Sequence, residues 1–159
     1  MLWVTRSQIR VNRAATAWLV RRFIDPGAEF LFVSPDEIAP MERERGAIGF
    51  DAPGARYPHK DERGRCSFEA LVSERCPDDA VLQRLALIVR SADFPKETAL
   101  TPEGAGLRAI SRGFPLIARD DHDTLERASF LYDALYASLQ QEVQALGADD
   151  ASSRSVADI

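Results

Sequence analysis

The stretch NRAATAWLVRRFIDPGAEFLFV, residues 12–33, decides the fold. Asn12 can cap a helix by accepting a backbone N–H bond, and the apolar residues that follow it recur at helical spacing. The run Asp25-Pro26-Gly27 predicts a tight turn. The apolar residues 30–33 then predict a buried strand. A helix, a turn and a strand therefore form the unit around which the neighbouring segments are arranged.

Segments on both sides of this unit extend it into a small sheet. Residues 2–5 are β-prone and predict a first strand. After the unit, Ser34-Pro35-Asp36-Glu37 predicts a helix that begins with a capping box, runs to about Arg45 and ends at Gly46. Residues 47–51 predict a third strand. Connections of this kind are usually right-handed crossovers between parallel strands.

The second half of the chain predicts helices. We expect Ser67 to cap the first of them, Leu107 and Ile110 to face inward on the third, and Leu146 to mark the buried side of the last. The expected spans are 68–75, 77 to about 92, 101–113 and 121–146.

The predicted fold class is α+β, or small α/β. It has a short, mostly parallel three-stranded sheet packed with five to six helices. Residues 1–146 form a single domain in this prediction. The polar residues 147–159 form a disordered tail, because they have too little apolar content to order themselves.

Composition narrows the function classes. The 159 residues are 45% hydrophobic, with a net charge of −5 and a pI near 5.1. Such acidity argues against direct DNA binding. The sequence has neither an apolar run long enough for a membrane span nor a signal-peptide pattern, so we expect a cytoplasmic protein without a membrane partner. Cys66 and Cys76 are expected to be reduced thiols.

The charge is distributed unevenly, and this suggests an anion site. Five arginines precede the first acidic residue, Asp25. Arg6 follows the first strand and Arg13 lies in the first turn of the next helix, where ligands of open α/β units bind. His59, in the loop after the third strand, can reach the same edge. Guanidinium and imidazolium groups there would hold an oxyanion. Alternatively, the arginines pair with surface acids such as Asp25 and Glu29.

A second candidate site would bind metal. His122 and Glu126 share one face of the last helix and, with His59 and Asp93, would offer imidazole and carboxylate ligands. The implied cofactor is a divalent transition metal, and no other cofactor is expected. A solvated helix face explains the same spacing.

The chain resembles the chromate-resistance family, specifically the C-terminal domain of ChrB-type regulators. The resemblance covers about residues 3–140. Besides the helix of Arg13 and the position of His59, it is carried by WVTR at 3–6, WLVRRFIDPGAEFLFV at 18–33, FDAPG at 50–54, RCSFEAL at 65–71, LQRLALIVRSAD at 82–93 and LYDALYASL at 131–139.

The resemblance implies a role in sensing or tolerating chromate. In that family the domain usually follows a region linked to regulation, and the protein controls a chromate efflux operon. Here the chain starts directly at the domain, so a stand-alone domain is expected. The family commonly has Asp-Arg, then Cys-Pro before Trp, where this chain has Asn12-Arg13 and Thr16-Ala17. Chromate is a tetrahedral dianion, which fits the expected arginine and histidine donors.

Three functions follow from these observations. The favoured hypothesis is a domain that binds chromate or a similar oxyanion through Arg6, Arg13 and His59, with a second copy of the chain as a further expected partner. The first alternative is a metal-dependent or redox enzyme that uses the His59 and Glu126 region. The second is a transcriptional regulator of a chromate operon that acts with a partner. The residues favour binding over catalysis but leave catalysis open.

Overall fold

A computed structural model describes residues 1–96 and 101–157, with side chains as far as Ser152. The strands are β1 (Leu2–Arg6), β2 (Glu29–Val33) and β3 (Ile48–Gly49). The helices are α1 (Val11–Leu19), α2 (Pro35–Arg45), α3 (Ser67–Arg75), α4 (Ala80–Asp93), α5 (Pro102–Ile117) and α6 (Asp121–Ala157), and a π-helical turn, Val20–Ile24, continues α1. The α+β fold with a small parallel sheet is confirmed.

The sheet has the strand order β2-β1-β3, and both pairings are parallel. Leu2 is in register with Glu29, and Trp3 is in register with both Phe30 and Ile48. Because all three strands point the same way, their carboxyl ends meet at one edge. Residues that directly follow β1 and β3 are therefore neighbours in space.

The central strand separates two apolar layers. On one face Trp3 packs in the main core with residues of α1, α3, α4 and α6. On the other face Val4 packs in a smaller cluster with Ile38 of α2 and Ala47. Thr5 is also fully buried, and its hydroxyl donates to the backbone oxygen of Phe50 at 2.6 Å. This bond ties the end of β1 to the segment after β3.

The predicted caps of α1 and α3 are wrong. Arg10 is the N-cap of α1, and Asn12 lies inside the helix and is buried. Cys66 is the N-cap of α3, because its capping box with Glu69 forms one residue earlier than predicted. The two displaced residues bond to each other instead, since the Ser67 hydroxyl donates to Asn12 Oδ1 at 3.2 Å. Tertiary hydrogen bonds thus outweigh local capping preferences here.

The last two helices are longer than their pattern predicts, whereas α4 begins at Ala80 rather than at residue 77. Helix α5 continues to Ile117; Leu107 faces the core as expected, but Ile110 is 53% exposed. Helix α6 continues past Leu146, which is 67% exposed, to Ala157. Gly147 does not end α6, because one glycine inside a helix costs only about 1 kcal/mol relative to alanine. In the described part of the chain no helix is both long and apolar enough to cross a bilayer.

Candidate functional site

A cavity of about 370 Å³ opens at the carboxyl edge of the sheet. Five elements meet there: the ends of β1 and β3, the first turn of α1, the end of α4 and one side of α5. Its lining includes Arg6, Arg10, Asn12, Arg13, Asp51, His59, Asp93, Arg108, Ser111 and Arg112. We call Arg6, Asn12, Arg13, Asp51, His59 and Asp93 the inner wall, and the exposed Arg10 and Arg112 the rim.

Asp51 is the centre of the inner wall. It follows β3, is buried, and has a φ of 50°, in the left-handed region that aspartate and asparagine tolerate better than most residues. Asn12 Nδ2 donates to Asp51 Oδ1 at 3.0 Å. Arg6 Nε donates to the Asp51 backbone oxygen at 2.9 Å, and Arg6 Nη2 lies 3.4 Å from Asp51 Oδ2. Arg13 Nε is 3.8 Å from the same oxygen. A buried carboxylate thus holds both arginines at the sheet edge.

His59 and Asp93 complete the inner wall. His59 Nδ1 donates to Asp51 Oδ1 at 2.6 Å and lies 3.8 Å from Asp93 Oδ2. The hydrogen bond to Asp51 raises the pKa of His59 against the opposing effect of burial. Burial, reinforced by the nearby Asp51 charge, raises the pKa of Asp93 to about 6. Asp93 Oδ2 is buried and accepts no hydrogen bond from the described residues.

The arginines give the cavity a net positive charge. Five arginines line it against two aspartates, so the formal charge is +3 with a neutral histidine. Burial lowers the pKa of Arg13, and its Nη2 donates to the Gln8 backbone oxygen at 2.9 Å. Arg108 Nη1 donates to the Ala92 backbone oxygen at 3.1 Å. The rim arginines form no ion pair with the residues that the structure describes, which leaves their donors to the solvent.

The residues predicted for the oxyanion site share this cavity. Arg6, Arg13 and His59 all line it, together with Asp93 from the predicted metal site. The carboxylate that Arg6 and Arg13 face is the buried Asp51 rather than a surface acid. Asp25 instead accepts a bond from the N-terminal amine at 2.6 Å.

The other two predicted metal ligands lie outside the cavity. The His122 ring packs edge-on against Phe32, with centroids 4.9 Å apart, and Glu126 accepts a bond from Arg21 at 3.1 Å. Among the described residues, neither lines the cavity or joins the group of Asp51, His59 and Asp93. The polar stripe of α6 is therefore not part of this site.

Several residues of the cavity were not predicted from the sequence. Asp51 had a readable signal, because it is the last residue of a predicted parallel strand, and Arg6 directly follows another. Asn12 was assigned to a helix cap, which concealed its role. Arg108 and Arg112 are one turn apart on α5, but nothing in the local sequence says that this helix packs against the mouth of the cavity.

Comparison with known proteins identifies the family. Residues 3–139 match the family model described as ChrB, C-terminal domain. The chain belongs to this family. It is 34% identical over 135 residues to Protein ChrB of Cupriavidus metallidurans, a match that covers 84% of this chain and 39% of that protein. The chain thus spans about two fifths of the length of that relative. No solved structure matches the chain.

Membership in the ChrB family supports a function related to chromate resistance. The recognition made from the sequence motifs is confirmed. The cavity carries side chains from three of those motifs: Arg6 from the first, Asp51 from FDAPG, and Asp93 from the motif that ends α4. The family likeness therefore extends to the segments that build the site.

Proposed function

We propose that this domain binds chromate or a similar tetrahedral oxyanion in the cavity at the sheet edge. The observation that carries the proposal is the convergence of five arginines on one cavity of an otherwise acidic chain. The net charge of the chain is −5, whereas the cavity lining carries +3. Such a local concentration of positive charge attracts small anions.

The two groups of arginines divide the work of binding. Asp51 uses part of the hydrogen-bonding capacity of Arg6 and fixes its position, and Gln8 does the same for Arg13. The rim arginines, Arg10 and Arg112, keep all their donors for a ligand. Guanidinium groups suit a tetrahedral oxyanion because they offer parallel N–H donors in a fixed fork.

His59 adds a donor that depends on protonation. The His59 side chain is 42% exposed, and its ring packs edge-on against the ring of Phe94, with centroids 5.1 Å apart. Because its pKa is raised by Asp51, the charged form persists to a higher pH than in a free histidine. The cavity is larger than one tetrahedral anion, so water fills the remaining space and bridges to the wall.

Isothermal titration calorimetry with chromate and with sulfate tests this proposal. We expect millimolar or tighter binding of one anion per chain. Replacing both rim arginines, Arg10→Ala with Arg112→Ala, should weaken binding about tenfold or more, because each charged hydrogen bond contributes about 1.5–3 kcal/mol. Arg13→Ala should weaken it similarly.

The matched control is Arg43→Ala, which removes an arginine that is exposed on α2 and, among the described residues, pairs only with the adjacent Glu44. It should leave the dissociation constant unchanged. Absence of heat with both anions, or equal losses in Arg43→Ala and in the rim variant, would overturn the proposal. Unchanged far-UV circular dichroism in each variant excludes unfolding as the cause of a loss.

A further inference from the structure

We propose that Asp51, His59 and Asp93 form a site for a first-row divalent metal ion on the inner wall of the cavity. The inference goes beyond oxyanion binding, because it concerns a cation and different atoms. One ligand atom from each of these residues lies within 4.8 Å of the other two. Two metal–ligand bonds of about 2.0–2.2 Å span up to ~4.4 Å. His59 Nδ1 lies 2.6 Å from Asp51 Oδ1 and 3.8 Å from Asp93 Oδ2, so small side-chain shifts are enough to place an ion among the three residues.

The donor set is one that transition metals accept. It combines an imidazole nitrogen with two carboxylate oxygens, which suits Zn²⁺, Mn²⁺ or Co²⁺. Three protein ligands leave further coordination positions, and these face a cavity that admits water or an anion. The described residues include no second histidine and no cysteine in this group, so the softer thiolate sites are not available here.

Two features of the wall are better explained by a cation than by an ion pair alone. Asp93 Oδ2 is buried, yet no described donor reaches it, although buried carboxylate oxygens normally accept hydrogen bonds. Arg6 and Arg13 compensate the charge of Asp51, whereas the one ion pair that Asp93 forms with the described residues is with His59 at 3.8 Å. A divalent ion would neutralise both carboxylates and occupy the open lone pair of Asp93.

The surroundings of Asp51 resemble the supporting shell of a metal ligand. Asn12 donates to Asp51 Oδ1, and Arg6 and Arg13 approach Asp51 Oδ2, which restricts rotation of the carboxylate. Asn12 is itself fixed, because its Oδ1 accepts bonds from Thr16 and Ser67. Such outer contacts orient ligands and support metal affinity. The position that His59 Nδ1–H occupies between the two carboxylates would pass to the metal, and its proton would leave to solvent.

Titration of untagged, metal-stripped protein with Co²⁺, in buffer free of sulfate and phosphate, tests the site. The visible absorption of Co²⁺ reports its ligand field, and we expect one equivalent to bind. His59→Gln and Asp93→Asn should each weaken the affinity at least ~10-fold, the loss typical of disturbed metal sites. His122→Gln is the matched control, since it removes a histidine that is exposed on α6. It should leave the titration unchanged.

Three results would overturn the metal site: absence of a one-equivalent Co²⁺ spectrum, a spectrum that persists in both His59→Gln and Asp93→Asn, or one lost in His122→Gln. Thermal unfolding of each variant confirms that the fold is retained. Asp93 and His59 are partly exposed, so these two replacements are gentler than a change at Asp51. Failure here leaves sulfate binding untouched, since the calorimetry of the oxyanion site contains no metal.

Discussion

The inner wall and the rim of the cavity differ in how their charges are compensated. On the inner wall, Asp51 is contacted by Arg6, Asn12, Arg13 and His59, and its side chain is only 5% exposed. At the rim, Arg10 and Arg112 form no ion pair with the described residues and face solvent. Charges that are buried and paired mainly decide whether the edge of the sheet holds together. Charges that are exposed and unpaired mainly decide what the cavity attracts.

The largest expected effect comes from removing the centre of the inner wall. Asp51→Ala should lower the free energy of unfolding by about 3–5 kcal/mol, because it leaves buried positive and polar groups without their partner. Alanine also tolerates the φ of 50° less well than aspartate. Chemical denaturation measures the change.

Two controls sharpen this result. Asp51→Asn keeps the shape and the backbone preference, so its loss should be smaller than that of alanine. Glu126→Ala removes an exposed carboxylate that also pairs with an arginine, and should change the unfolding free energy by less than ~1 kcal/mol. If Asp51→Ala costs no more than Glu126→Ala, the inner wall does not hold the edge of the sheet together.

Variants at two glycines of α5 test how the packing of this helix affects the rim without any change of charge. A Cβ on Gly104 would collide with the side chain of Ser91 on α4 and lie 3.2 Å from the Ser91 carbonyl carbon. Gly104→Ala should therefore destabilise the protein by about 1–3 kcal/mol. It should also weaken sulfate binding, since α5 carries Arg108 and Arg112.

Gly106→Ala is the matched control on the same helix. A Cβ there meets nothing within 4 Å, so the change should stabilise the helix by up to ~1 kcal/mol. Equal thermal shifts in the two variants would mean that the contact between α4 and α5 does not position the rim.

The fold could be predicted from the sequence because its local signals agreed with one another. The capping box at Ser34 and the left-handed Gly46 both appear in the structure as predicted, and the strand at 30–33 differs by one residue from β2. These features depend on residues a few positions apart. The cap at Asn12 failed because its side chain bonds across the fold to Asp51, and no local pattern contains that contact.

The site could be predicted from the sequence to a similar extent. The parallel sheet predicts that Arg6, Arg13 and His59 meet at one edge, and they line one cavity. His122 and Glu126 also offer an imidazole and a carboxylate, but helical spacing alone does not predict where α6 packs. For the same reason, the sequence does not predict that Arg108 and Arg112 line the cavity. Residues near strand ends can be placed from the sequence, whereas residues on distant helices cannot.

The two proposed ligands should assist each other. A divalent ion on the inner wall would neutralise Asp51 and Asp93, the only aspartates that line the cavity within the described residues. Sulfate would then meet only positive charge, so saturating Co²⁺ should tighten its binding by about 10-fold. By the same linkage, sulfate should tighten Co²⁺ binding by an equal factor. His59→Gln should abolish the coupling, whereas His122→Gln should preserve it. Absence of coupling, or coupling that survives in His59→Gln, would contradict a shared cavity.

The smallest effect expected is the response of sulfate affinity to pH when no metal ion is bound to the inner wall. In the presence of a chelator, sulfate should bind at least roughly 3-fold more tightly at pH 5 than at pH 7.5, because the wall that it faces is more positively charged at the lower pH. The sign follows from two groups. Asp93, with a pKa raised to about 6, loses its negative charge below that value, and His59, whose pKa is also raised, is then positive. The other charged groups that line the cavity are Asp51 and the five arginines, which are Arg6, Arg10, Arg13, Arg108 and Arg112. Sulfate stays a dianion over this range, unlike chromate, so the change belongs to the protein.

Asp93→Asn separates this contribution from that of His59. The amide carries no charge at either pH, so sulfate should bind more tightly than to the wild type at pH 7.5, and the remaining pH dependence should be that of His59 alone. Glu126→Gln, which removes an acid of the α6 stripe, should keep the affinity and pH profile of the wild type. Calorimetry at four pH values gives both curves. If Asp93→Asn leaves the profile unchanged, the carboxylate does not face the bound anion.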